Sequence, residues 1–338
     1  MTLPAIDWLV SSLTALADGD EQSASAVRAR ADDILRPAGA LAALDDVAVW
    51  AARWQGTPTP AVLRPAALIF AADHGVAAAG VSNYPTEVTA AMLAAYRAGR
   101  STVSAFAAVA GASVDAVDVG VGRPTGDIRV EPALTPERLD ECIAAGRSAV
   151  EALDADLLVL GEMGIGNTTA AAAIAAAVAR ATHPDDDPVA WVGRGTGVDD
   201  DGLHRKQDAV LAALQRTQGL SDPLEILRQL GGAELAAMAA ATVAARQRRL
   251  PVVLDGYVVT SAVLPLALMR PDALDHCRAG HVSAEPGHRR VVERLGMRPL
   301  LDLGMRLGEG SGAMAAVPLV AMACAGVTEV PTFAEWFG

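Results

Sequence analysis

Ala66-Ala67-Leu68-Ile69-Phe70-Ala71 is an unbroken apolar run that stops at Asp73-His74-Gly75. A short run with no polar alternation reads as a strand buried on both faces, which is what a parallel sheet covered by helices requires. Comparable runs recur at Val114 to Val119, Leu157 to Leu160, Val189 to Val192 and Val252 to Leu254, with Ala-rich helical segments between most of them. Strands alternating with helices predict an α/β fold, a mostly parallel sheet of about six strands flanked by helices.

In such a sheet, ligands bind beyond the carboxyl ends of the strands. Those ends carry the unusual residues: Asp73-His74-Gly75, Asp118-Val119-Gly120-Val121-Gly122, Gly161-Glu162-Met163-Gly164-Ile165-Gly166-Asn167, Gly193-Arg194-Gly195-Thr196-Gly197 and Asp255-Gly256-Tyr257. Glycine or an acid at every end marks one edge of the sheet as the functional edge. Upstream of the first strand the pattern is helical. Ile6, Val10, Leu13 and Leu16 recur at helical spacing, and two further helical patterns lie before Gln55. Residues 1–60 are therefore expected to form a small helical bundle, leaving 61–338 as the α/β domain.

Composition narrows the function. The chain has 338 residues, 52% hydrophobic and only 4% aromatic, so a large core must be built from Ala, Val and Leu. A formal net charge of -13 argues against nucleic acid and anionic membranes as partners. The three cysteines, Cys142, Cys277 and Cys324, are far apart with no C-x-x-C pattern, which fits a reducing, cytoplasmic setting without disulfides or structural zinc. Asp7 and the lack of an early basic cluster do not read as a signal peptide, and no apolar run reads as a membrane span.

Two glycine loops suit a phosphate. Gly161 and Gly166 have P-loop spacing and Thr168 stands at the Ser/Thr position, but Asn167 replaces the lysine, so an NTPase is rejected. Free amides at the start of the Ala-rich helix that follows can still hold a single phosphate, or the loop can be a plain strand-to-helix turn. After Gly193 to Gly197, the acids Asp199, Asp200 and Asp201 lack the spacing of a calcium loop and read as helix caps or sugar ligands. Lys206, one turn into the next helix, is either a phosphate ligand or a surface lysine. Near the C-terminus, Arg306-Leu307-Gly308-Glu309-Gly310-Ser311-Gly312 sets one carboxylate between glycines ahead of a long apolar helix that contains Pro318. The residues alone leave Glu309 as a cap or a catalytic acid. His74 and His288 read as loop-orienting groups.

Taken together, Phe70-Ala71-Ala72-Asp73-His74-Gly75-Val76, Gly80-Val81-Ser82-Asn83-Tyr84-Pro85, the Gly161 to Thr169 block, Ser283-Ala284-Glu285-Pro286-Gly287-His288 and the Glu309 block closely resemble the nicotinate-nucleotide:dimethylbenzimidazole phosphoribosyltransferase family, in order and over nearly the whole chain. The resemblance implies transfer of the phosphoribosyl group of nicotinate mononucleotide to dimethylbenzimidazole, giving α-ribazole 5′-phosphate for the cobalamin lower ligand. It implies Glu309 as general base, with Glu162 and Asp255 near the ribose. Gly164, Ile165, Gly166, Asn167 and Lys206 would hold the phosphate, and Ser82, Tyr84, Thr86 and Leu307 would lie at the base pocket. It also implies that part of the C-terminal end joins residues 1–60 in the small helical domain, and a homodimer, with no metal or organic cofactor. Thr86 departs from the family pattern, where Gln is expected, and so does Val330-Pro331-Thr332-Phe333. Two alternatives remain: a related transferase acting on other benzimidazoles, purines or phenols, and a non-catalytic phosphoriboside binder.

Overall fold

A computed structural model describes residues 2–338. The chain opens with helices α1 (Pro4–Thr14), α2 (Glu21–Asp33) and α3 (Ala43–Gln55). Strand β1 (Pro65–Ala72) follows, then α4 (Glu87–Arg97), α5 (Thr102–Ala110), β2 (Ser113–Gly120), α6 (Pro136–Glu151), β3 (Leu157–Met163) and α7 (Asn167–Thr182). Next come α8 (Asp200–Arg216), α9 (Pro223–Leu230), α10 (Ala233–Gln247), β4 (Val252–Leu254), α11 (Tyr257–Met269), β5 (Cys277–Ala279), α12 (Pro286–Arg294), α13 (Ser311–Thr328) and α14 (Phe333–Phe337).

The sheet has five strands in the order β2-β1-β3-β4-β5, and every neighbouring pair is parallel. β1 is buried along its whole length, as an unbroken apolar run between two helical layers should be. Leu68, Phe70 and Ala72 join a core shared with α7, α10 and α11, whereas Ala67 and Ile69 join a second core shared with α3, α5 and α13. Alanine lets these layers come close. A Cβ on Gly146 of α6 would lie 2.0 Å from the Ala237 carbonyl oxygen of α10, so glycine is required at that crossing.

One expectation about strands needs correction. Val189 to Val192 is no strand: Pro188–Trp191 forms a 3-10 turn. Pro188 lacks an N–H for a ladder, the Asp187 carboxylate accepts the Val189 amide at 3.0 Å, and Trp191 turns into the core. The fifth strand is β5 instead, which carries Arg278 at its centre and so has no apolar run to announce it.

α2 and α3 pack together and onto α13, and the C-terminal end closes that layer through a bridge between Ile34 and Thr332. α1 packs elsewhere, on α6 and α10. α13 is long and apolar enough to cross a membrane by length and composition alone, but 56% of it is buried, against α3, α5 and β3.

Candidate active site

The carboxyl ends of β3, β4 and β5 meet in a cavity of about 360 Å³, while the Asp73 to Gly75 and Asp118 to Gly122 ends of β1 and β2 do not line it. β1 and β3 run side by side with Phe70 opposite Glu162, so the loop after β3 opens toward α4. α4 contributes Val88 and Met92 to the cavity wall, β3 contributes Met163, and α11 contributes Tyr257 and Val258. The wall is apolar at these residues and charged at Glu162, Glu285, Arg306 and Glu309.

The acidic end is built by close backbone packing. A Cβ on Gly161 would lie 2.6 Å from the Gly310 amide nitrogen, and one on Gly308 would lie 2.6 Å from Glu162 Oε1. Both glycines are needed to bring the Glu309 turn down onto the end of β3. Glu309 itself sits at φ 65°, in the left-handed region that costs a non-glycine residue strain. Asp255, fully buried at the end of β4, accepts the Gly310 amide at 3.1 Å and the Ala313 amide at 2.8 Å, which fixes the turn and caps α13.

Glu309 is 6% exposed, and its Oε2 has no hydrogen-bond partner among the described residues. Burial pushes its pKa up and the Asp255 charge adds to this, while the neighbouring Tyr96 hydroxyl pulls it down. Glu162 is pushed up to about 8, by burial first and then by the charges of Asp255, Glu234 and Glu309, against a hydrogen bond from Asn167 Nδ2 to its Oε2. Three acids crowded at low exposure repel one another, and a positive ligand relieves that repulsion.

The opposite end suits an anion. Gly166, at φ 96°, turns the chain into α7, and Asn167 and Thr168 at the start of that helix line the cavity with Gly164 and Ile165. Lys206 reaches up from α8 and donates to Thr168 Oγ1 at 2.6 Å. Burial lowers Lys206 to about 8, with Glu285 opposing. Gly195 and Thr196 close this end, and Arg306 lies against Gly195 and Gly197.

The structure thus brings Glu309, Glu162, Tyr84, Gly164, Ile165, Asn167 and Leu307 to one cavity. Gly166, Lys206 and Asp255 stand just behind its wall, Ser82 accepts the Tyr84 amide at 3.2 Å, and Thr86 is exposed at the start of α4. Sequence reasoning missed Val88, Met92, Met163, His281 and Glu285 as lining residues. Glu285 lies in the Ser283 to His288 block, where the histidine is the more conspicuous residue. Val88 and Met92 on α4 had no motif to mark them, and Met163 is an apolar member of a block read for its glycines and acid. His74 lies under Gly164, its Nε2 2.5 Å from Glu234 Oε1. His288 Nδ1 accepts the Ser283 amide at 2.8 Å, and burial lowers His288 to about 3. Among the described residues, no group of three or more His, Cys, Asp or Glu is placed to hold a metal.

A family profile described as "Phosphoribosyltransferase" matches residues 16–336. A nicotinate-nucleotide–dimethylbenzimidazole phosphoribosyltransferase of Cereibacter sphaeroides is 50% identical over 317 residues, which is 94% of this chain and 92% of that relative. One from Mesorhizobium japonicum is 46% identical over 336 residues, 99% of this chain and 98% of its own. The crystal structure of CobT from Thermus thermophilus superposes with a TM-score of 0.88 at 42% identity, covering 94% of this chain and 98% of that one.

Proposed function

This chain belongs to the nicotinate-nucleotide–dimethylbenzimidazole phosphoribosyltransferase family and moves the phosphoribosyl group of nicotinate mononucleotide onto dimethylbenzimidazole, and we propose that Glu309 is the base for that transfer. The product is α-ribazole 5′-phosphate, for the lower ligand of cobalamin, and the leaving group is nicotinate. The single observation that carries the proposal is one cavity that joins the buried acids Glu162 and Glu309 to the turn into α7, with Lys206 and Thr168 at that turn.

Nicotinate mononucleotide has that polarity. Its ribose carbon bears a cationic pyridinium and its far end bears a phosphate. The pyridinium and reacting carbon suit Glu162, Glu309 and the buried Asp255. The phosphate suits the first turn of α7, with Lys206 and Thr168 behind it. A cation arriving at the acidic end returns Glu162 to its carboxylate form, and that carboxylate stabilises positive charge developing at the ribose carbon.

Dimethylbenzimidazole has one lone-pair nitrogen and one N–H. The lone pair attacks the ribose carbon while the bond to the pyridinium nitrogen breaks and its electron pair returns to the ring. Nicotinate leaves neutral at that nitrogen and needs no acid. Glu309 takes the N–H proton of the incoming ring, so no cation is left on the product. Val88, Met92, Met163 and Leu307 supply an apolar slot for a flat bicyclic ring. Attack from the face opposite the leaving group inverts the configuration, which converts a β-linked substrate to an α-linked product. No metal or organic cofactor enters these steps.

The proposal includes a homodimer in the cytoplasm. The homodimer is supported by neighbouring helices α5 and α13, which expose Phe106, Val109 and Met322. Incubating the protein with nicotinate mononucleotide and a panel of benzimidazoles, purines and phenols tests the acceptor. Free nicotinate and an α-linked product with dimethylbenzimidazole are expected. Release without an acceptor, or a β-linked product, would overturn the displacement.

A further inference from the structure

A second cavity, of about 620 Å³, lies beside β5 and shares no lining residue with the active site. It opens between α3 and the segment that leads into β5, at the amino-terminal edge of the sheet, whereas the active site occupies the carboxyl edge. Its charged lining consists of Arg28, Arg53, Arg278 and Arg294 against Asp46 and Asp275. In a chain with a formal net charge of -13, such a gathering of guanidinium groups runs against the overall balance.

The arginines are not equivalent. Arg28 is paired with Asp46, Arg53 Nη2 donates to Glu21 at 2.9 Å, and Arg294 is bonded to Thr182. The side chain of Arg278 is half-buried and makes no hydrogen bond or ion pair with any described residue. Its guanidinium carbon lies 5.6 Å from the centroid of the Trp50 ring. Trp50 lines the same cavity and is 3% exposed, and its Nε1 has no partner among the described residues, nor does Arg53 Nε. Asp275 sits exposed at the rim, beyond ion-pair distance of Arg278. Desolvated donors of this kind are costly unless an acceptor meets them. Burial pushes the Arg278 pKa down and the Asp46 charge opposes this, as expected of a guanidinium partly stripped of water.

We propose that the cavity formed by Arg278, Arg53 and Trp50 is a second binding site, for a small organic anion whose phosphate or carboxylate meets Arg278 and whose flat or apolar body lies along Trp50. A planar guanidinium grips two oxyanion oxygens at once, and the indole beside it offers a stacking face for a ring. The aliphatic residues Val49, Leu274 and Leu295 complete the apolar side.

The test is isothermal titration with adenosine 5′-monophosphate, inorganic phosphate and citrate, run on the full chain with the active site saturated by α-ribazole 5′-phosphate. One further site per chain is expected, for at least one of the two oxyanion chemistries. Arg278→Gln is expected to weaken it by roughly 10-fold or more, the scale of a lost hydrogen bond to a charged group. Arg278→Lys should weaken it less, and turnover should stay within about two-fold of the parent in both variants, because Arg278 lies outside the catalytic cavity. A tighter phosphate series selects the phosphate source, and a tighter citrate series the carboxylate. No binding once the active site is filled, or equal binding by Arg278→Gln, overturns the proposal. A change in oligomeric mass on Arg278→Gln also overturns it, by making Arg278 a contact between copies.

Discussion

Asp255 accepts the backbone amide of Gly310 at 3.1 Å through one carboxylate oxygen, and through the other it holds Ala313 at 2.8 Å. Glu309 is therefore aimed by a buried acid that does not itself line the cavity. Its positive φ is maintained by these two bonds and by the glycines on either side. Removing the acid, as in Asp255→Ala, should leave two buried amides unpaired, at about 1–3 kcal/mol each. Turnover should fall by at least about 10²-fold, since a misplacement of roughly 1 Å has that effect. Thermal unfolding and kcat measured together check this. A variant that loses stability but keeps kcat would show that Asp255 caps α13 without aiming Glu309.

Lys206 donates to Thr168 at the turn into α7, where the phosphate is proposed to bind. Lys206→Ala is expected to raise KM for nicotinate mononucleotide by roughly 10- to 100-fold, the scale of a charged hydrogen bond, and to change KM for dimethylbenzimidazole much less. Initial rates with each substrate varied in turn give the split. A larger effect on the base would remove Lys206 from the phosphate.

Glu162 has its pKa raised from the ordinary 4.5 to about 8 in the folded chain. Between these values the folded chain holds a proton that the unfolded chain has lost, so this group's contribution to stability falls as pH rises from about 4.5 to about 8. Lys206 acts in the next window. Its folded pKa is lowered from 10.5 to about 8, so its contribution to stability falls as pH drops from about 10.5 to about 8. Glu162→Gln removes the first effect. The melting temperature of the variant relative to the parent should therefore climb from about pH 5 to about pH 8 and then level off. A difference that does not vary with pH would mean that Glu162 titrates normally.

Thr86 is exposed at the start of α4 and does not line the cavity, whereas Val88 and Met92 of the same helix do. Thr86→Gln should therefore leave the acceptor preference within a few-fold. Met92→Ala should weaken dimethylbenzimidazole by about 1–3 kcal/mol, the scale of one apolar group missing from a hydrophobic pocket. Competition between benzimidazole and dimethylbenzimidazole measures both.

The sheet was legible where burial leaves an unbroken apolar run, as in β1 and β3, because a strand covered on both faces has no polar side. It was not legible at β5, where Arg278 faces the second cavity and breaks the run. At Val189 to Val192 the apolar run was real, but Pro188 and Asp187 direct it into a turn. The loops of the site could be read because glycine and acid together are rare outside turns. Its walls could not, because Val88, Met92 and Met163 look like any core residues until the fold aims them at one cavity. The role of Gly161 as a platform for the Glu309 turn emerges only in three dimensions, since the two segments are far apart in sequence.

The most direct test of Glu309 as the base is a single-turnover assay of Glu309→Gln, following nicotinate release from nicotinate mononucleotide in the presence of dimethylbenzimidazole, with circular dichroism to confirm the fold. A base in this position predicts a loss of roughly 10²- to 10⁴-fold in the chemical step with binding of both substrates retained. A folded variant that releases nicotinate within a few-fold of the parent rate would contradict it.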